Sequence, residues 1–158
     1  MADQQPTDPD VDLGVPAQRR EVGRTPWPVL GAIALGGALG ALGRYGIGYA
    51  FPASATGFPW ATFVINVSGC LLIGVLMVLN DRFWSGRRLV RPFLGTGVLG
   101  GYTTFSTYVV DIQRLAQGGA AATALAYLAV SVLVGLAAVA VGVGLTRLAV
   151  GRLGGAAS

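Results

Sequence analysis

The sequence predicts an all-α integral membrane protein of four transmembrane helices, the third of them broken in mid-membrane. Three observations predict it. Of the 158 residues 53% are apolar and only 11% are charged, with a mean hydropathy of +0.64; soluble domains carry roughly 25% charged residues. Four apolar runs each reach the roughly 20 residues that cross a bilayer as a helix. Inside the third run, GVLGGYTTFSTYVVD (Gly97–Asp111) places paired glycines, Thr/Ser hydroxyls and aromatic rings where lipid-facing chain avoids unpartnered polar groups.

Residues 1–26 are polar and Pro-rich, with Asp clustered first and Arg later. Such a segment buries too little apolar surface to fold alone and is expected to be a disordered tail. It lacks the charged-then-apolar order of a secretory signal. The four spans are expected at about Trp27–Tyr49, Trp60–Leu79, Pro92–Val110 and Ala120–Leu145, so that 27–147 forms the membrane domain and 148–158 a short C-terminal tail. Trp27, Trp60 and Trp84 fall at expected interfaces, where amphipathic rings favour the headgroup layer.

All eleven cationic residues are arginine, and histidine is absent. Four spans put the N-terminus, the second connection and the C-terminus on one side. That side holds Arg19, Arg20, Arg24, Arg82, Arg87, Arg88, Arg91, Arg147 and Arg152; the other holds Arg114, and Arg44 if it reaches outward. The positive-inside rule then makes both termini cytoplasmic. The arginines flank apolar runs instead of forming a solvated patch, so the net charge of +4 reports topology and not nucleic-acid binding. Arginine without lysine, with abundant Gly and Ala, fits a GC-rich bacterial genome and a bacterial plasma membrane. The single cysteine, Cys70, lies in an apolar run and allows no intrachain disulfide or cysteine metal cage.

Residues at four-residue spacing share a helix face. Gly36, Gly40, Arg44 and Gly48 do so on the first span, Asn66, Cys70 and Gly74 on the second, and Thr123, Tyr127, Ser131 and Gly135 on the fourth. The small members allow close helix approach; the polar members need partners. The Asn66 amide either bonds a neighbouring helix or presents its NH2 group to an anion, and Tyr127 and Ser131 extend a line of hydroxyls or bond their own helix. Arg44 is the cation well inside a span, which places it against a cavity or leaves it snorkelling.

Gly100–Gly101 followed by Thr103–Thr104 is poor helix material, so the third helix is expected to break there. A break exposes carbonyls, which suit a hard cation. Phe105 and Tyr108, three apart, share a face of the following half-helix, and an aromatic edge is electropositive enough to meet a small anion. With no histidine, no Glu in a span, and Asp81 and Asp111 read at span ends, no nucleophile–base pair is visible and the chain is not read as an enzyme.

The runs GGALGALGRYGIG, TFVINVSGCLLIG and GVLGGYTTFSTY together resemble the CrcB/Fluc fluoride channels, over about Gly36 to Gly144. The resemblance implies an antiparallel dimer with two fluoride pores along the subunit interface. It assigns Asn66 and Phe105 to the pore, with Tyr108 at the place of a second ring. It puts Ser106 and Thr107 in the polar part of the third helix, Tyr127 and Ser131 at polar pore positions, and Arg44 near the aqueous vestibule. It gives the backbone carbonyls of Gly100 and Thr103 to a structural, untransported Na+ at the dimer centre. Two departures stand out: Tyr108 replaces a usual Phe, and Gly135 stands where a hydroxyl often continues the line. The arginine bias further predicts single-orientation insertion and pairing with a homologous chain of opposite bias, against a homodimer. Two rivals are a four-helix proton-coupled multidrug antiporter, which needs a membrane-embedded carboxylate, and a non-conducting partner subunit of a heterodimeric channel.

Overall fold

The computed structural model describes residues 26–52, 54 and 56–152 in full and the backbone of 153–155. The tail expected at 1–26 lies outside the described residues except for Pro26. Helix α1 is Trp27–Ala50 and α2 is Trp60–Leu79, the latter continuing into a π-helical turn, Asn80–Trp84. The third span has two halves. The first, α3, is π-helical over Arg91–Leu99 and closes with an α-helical turn, Gly100–Tyr102. The second, α4, is Ser106–Gln117. Helix α5 is Ala121–Gly155 and so carries the expected fourth span well into the short C-terminal tail.

Three helices, Trp27–Ala50, Trp60–Trp84 and Ala121–Arg152, are long and apolar enough to cross a membrane. Neither half of the third span reaches the ~20 residues this needs; it crosses only as α3 plus α4. Lipid supplies no hydrogen bonds, so the free backbone groups at such a break must be met by protein.

The helices pair as α1 with α3 and α2 with α5, while α4 lies on α5. Glycine sets the first contact. A Cβ at Gly40 would overlap the Val98 carbonyl oxygen and come within 2.7 Å of the Tyr102 nitrogen, and one at Gly101 would overlap the Gly37 carbonyl oxygen. Gly40→Val is therefore expected to cost about 1–3 kcal/mol through overpacking. The midpoint at which the detergent-solubilised protein loses its monodisperse peak on heating should fall by several degrees; an unchanged midpoint would contradict this close approach.

The break itself falls at Thr103–Phe105, not at the glycines. Gly100 and Gly101 are both helical, and the missing side chain of Gly101 lets α3 sit against Gly37 of α1. Thr103 adopts extended backbone (φ −75°, ψ 160°) and ends α3. Tyr102 Oη and Ser68 Oγ, 2.8 Å apart, fix this end to α2.

The protein's core lies where α4 meets α5. Tyr108, Leu115, Ala124 and Tyr127 are buried there, with Phe58 and Phe63 packed against them. Ring centroids of 5.1 Å for Tyr108–Tyr127 and 5.2 Å for Phe58–Tyr127 place these aromatics in direct contact. The outward faces of α1 and α5 remain apolar and exposed, as a lipid solvent requires (Leu35, Leu39 and Leu42; Leu125, Leu133 and Leu136).

Candidate functional site

The break is held open by an amide. Asn66, in the middle of α2, donates from Nδ2 to the Thr104 carbonyl at 2.8 Å and accepts the Thr104 N–H on Oδ1 at 2.9 Å. This reciprocal pair imitates a backbone partner and satisfies a residue that has left its helix. Thr104 then starts the next one: its Oγ1 accepts the Thr107 N–H at 3.1 Å and donates to Thr107 Oγ1 at 3.0 Å, with Ser106 Oγ 3.3 Å away. Such hydroxyl-to-backbone bonds are what threonine offers in place of helix continuation.

Two carbonyls lose their usual partners by this arrangement. In an unbroken helix the Thr104 N–H would bond the Gly100 carbonyl and the Thr107 N–H the Thr103 carbonyl. Both donors are diverted, to Asn66 and to the Thr104 hydroxyl. The break thus presents carbonyl oxygens at the end of α3 and, across it, N–H groups and hydroxyls at the start of α4.

Two pockets meet at Thr104, which lines both. One, of about 490 Å³, is lined by Asn66, Gly100, Thr103, Phe105, Tyr108 and Ser131, among others. Phe105 is 78% exposed on its rim. The other, of about 660 Å³, opens towards the α1–α2 connection and takes Arg44, Thr62, Thr107, Asp111 and Arg114 into its walls. Arg44 is half-buried in the wall of this mouth.

The residues singled out from sequence divide accordingly. Asn66, Gly100, Thr103, Phe105, Tyr108 and Ser131 come together, and Arg44 and Thr107 line the neighbouring mouth. Phe105 and Tyr108 do face each other, with ring centroids 5.9 Å apart, but only Phe105 is open to the surroundings. The hydroxyl of Tyr108 donates to the Leu128 carbonyl at 2.8 Å, tying α4 to α5. Tyr127 is fully buried in the core and lies behind the pockets. Tyr127 Oη and Ser131 Oγ are buried and make no hydrogen bond among the described residues. Gly135 is buried, and a Cβ there would sit 3.4 Å from Cys70 Sγ, so it seats α5 on a packed thiol.

One cluster escaped the sequence reading. Asp111, placed there at a span end, is only 7% exposed, within α4. Its Oδ2 accepts Thr62 Oγ1 at 2.7 Å, and its Oδ1 lies 3.2 Å from Arg114 Nη2. The available signal was the i,i+3 spacing of Asp111 and Arg114; Thr62, 49 residues earlier, has no local sequence trace.

Comparison with known proteins follows the same lines. The family model described as CrcB-like protein, Camphor Resistance, matches residues 31–143. A fluoride-specific ion channel of Streptomyces avermitilis, FluC 2, is 50% identical over 125 residues, covering 79% of this chain and 79% of the relative. FluC 2 of Nocardia farcinica, also a fluoride-specific ion channel, is 54% identical over 123 residues, covering 78% of this chain and 88% of the relative. FluC 1 of Streptomyces coelicolor, of the same description, is 51% identical over 122 residues, covering 77% and 79% respectively.

Proposed function

We propose that this chain, because it belongs to the CrcB-like family, is a subunit of a fluoride-selective channel that lets cytoplasmic fluoride leave the cell passively and so relieves its toxicity. As a member of that family it is a multi-pass protein of the bacterial inner membrane and not an enzyme. The observation that carries the reading is the Asn66–Thr104 clamp, which keeps a helix open at the point where the exposed Phe105 ring and the unpartnered Ser131 hydroxyl line one pocket.

Fluoride is small and strongly hydrated, so a selective pore must replace its water with donors. The second Nδ2 hydrogen of Asn66, the hydroxyls of Ser106, Thr107 and Ser131, and the edges of Phe105 and Tyr108 supply them, while Tyr127 backs the site from the core. The N-terminus of α4 adds positive partial charge on the same side. Arg44 gathers anions at the mouth. The membrane potential drives the ion out, worth about 2.3 kcal/mol per elementary charge per 100 mV.

The exposure of Phe105 supports a dimer in which an antiparallel second copy covers the groove. The arginine bias supports a homologous partner of opposite bias over a second identical chain. Reporters fused to the C-terminus should then signal one orientation only; equal signal from both would favour the homodimer.

The Gly100 and Thr103 carbonyls, deprived of their usual helix donors, suit a structural Na+ between the subunits. An ion that binds only the assembled state stabilises it, by about 2.7 kcal/mol at a hundredfold excess over Kd. The purified assembly should melt several degrees higher in Na+ than in N-methylglucamine; equal midpoints would contradict the site.

The test of the function is fluoride efflux from proteoliposomes, read with a fluoride electrode after valinomycin releases K+. Rapid fluoride loss without ATP is expected, and loss no faster than from empty liposomes would reject it. Asp111 is the observation that favours a proton-coupled exporter, since it is a buried carboxylate within the third span. Its two oxygens are already engaged, by the Thr62 hydroxyl and the Arg114 guanidinium, which suits a structural tie better than a carrier site. In the same proteoliposomes a pH gradient is expected to drive no transport of a hydrophobic cation such as tetraphenylphosphonium; such transport without fluoride efflux would favour the multidrug antiporter.

A further inference from the structure

On the face that the arginine bias assigns to the cytoplasm, α2 and α5 part around a groove of about 480 Å³. Val78, Asp81 and Arg82 form one wall, and Arg147, Val150 and Gly151 the other. None of these residues takes part in the pockets at the break.

The depth of the groove follows from helix geometry. Arg82 lies 22 residues beyond Trp60 and Arg147 lies 26 beyond Ala121, so at 1.5 Å per residue they stand about 33 and 39 Å from the outer ends of their helices. The hydrocarbon core is ~30 Å thick. Both guanidinium groups therefore sit at headgroup level. Asp81 and Arg82 leave from the π-helical turn Asn80–Trp84, whose wider winding changes the direction in which they project.

The charge of the groove is unbalanced. Arg82 and Arg147 face one carboxylate, Asp81, and Arg152 follows directly after Gly151. Among the described residues neither Arg82 nor Arg147 forms a salt bridge. Guanidinium groups match phosphate oxygens with paired N–H donors and are weakly hydrated for cations. Gly151 leaves the floor without a side chain, and Val78 and Val150 offer apolar walls that a free phosphate ion has no use for. Basic pockets between transmembrane helices on the cytoplasmic side suit anionic headgroups.

We propose that this groove binds the phosphate headgroup of an anionic phospholipid of the cytoplasmic leaflet, with the two arginines on the phosphate and the two valines against the glycerol and upper acyl chains. Binding there bridges the ends of α2 and α5. The site stands on its own residues and does not depend on what the break conducts.

Native mass spectrometry of the purified full-length assembly tests it. Phosphatidylglycerol and phosphatidylcholine of equal chain length are titrated in parallel. The protein should prefer phosphatidylglycerol about tenfold. The double variant Arg82→Gln/Arg147→Gln should lose most of that preference, whereas Arg87→Gln/Arg88→Gln, with the same change in charge outside the groove, should keep it within twofold. All four side chains are exposed, so neither pair disturbs the core. The proposal is overturned if the groove variant retains the preference, or if the control pair loses as much, which would mean diffuse surface charge. It is equally overturned if millimolar inorganic phosphate displaces the lipid, which would mean a free-anion site.

Discussion

Asn66→Asp is expected to lower fluoride efflux by about three orders of magnitude. Two effects add. Asn66 Nδ2 donates to the Thr104 carbonyl, and a carboxylate cannot, so two acceptors would face each other inside the protein. The larger effect is charge. A carboxylate about 4 Å from a passing anion repels it by about 4 kcal/mol at an effective dielectric constant of 20, and every 1.4 kcal/mol is tenfold. Asn66→Ser, which loses the clamp but adds no charge, should retain at least ten times more efflux than the aspartate variant. Efflux per monodisperse protein in proteoliposomes checks both, and near-normal flux in Asn66→Asp would remove Asn66 from the ion's path.

Phe105→Ile is the second large effect, a fall of about 10- to 100-fold. Isoleucine keeps the apolar bulk and discards the electropositive ring edge. Losing one hydrogen-bond-like contact to a charged group costs about 1.5–3 kcal/mol. Because Phe105 is 78% exposed, its replacement leaves the core untouched, and the loss reads on conduction and not on folding. Tyr108→Phe gives the contrast. It removes only the bond to the Leu128 carbonyl, worth about 0.5–1.5 kcal/mol of stability, and keeps the ring. Flux within a few-fold of the parent is expected there. Unchanged flux in Phe105→Ile would contradict the role of the ring.

Much of this was legible in the sequence because membrane physics writes it plainly. Apolar runs of helical length, arginine asymmetry and interfacial tryptophans are local signals, and α1 and α2 begin where those signals put them, at Trp27 and Trp60. The polar composition of the third span likewise announced a break. It falls in the threonine half of the expected stretch, at Thr103–Thr104, and not at its glycines. Glycine is a poor helix former, yet Gly100–Gly101 stay helical, with the α1 backbone lying against Gly101, while Thr103–Phe105 depart because Asn66 offers Thr104 a better partner than the helix does. Tertiary contact overrode local preference at both places. Within the Thr62–Asp111–Arg114 cluster the Thr62 contact was unreadable for the same reason: it forms only when α2 packs beside α4. The burial of Tyr127 behind Tyr108 also depends on packing that spacing alone does not reveal.

The claim on which the rest turns is that the opened third span and its amide clamp shape one side of a narrow passage completed by a second subunit. The most direct measurement is an experimental structure of the assembly in a lipid bilayer with fluoride present. The account predicts Phe105 and Ser131 turned inward between the subunits, along a continuous channel that runs past Asn66 to the mouth at Arg44. Phe105 facing acyl chains, with no opening between the subunits, would contradict it.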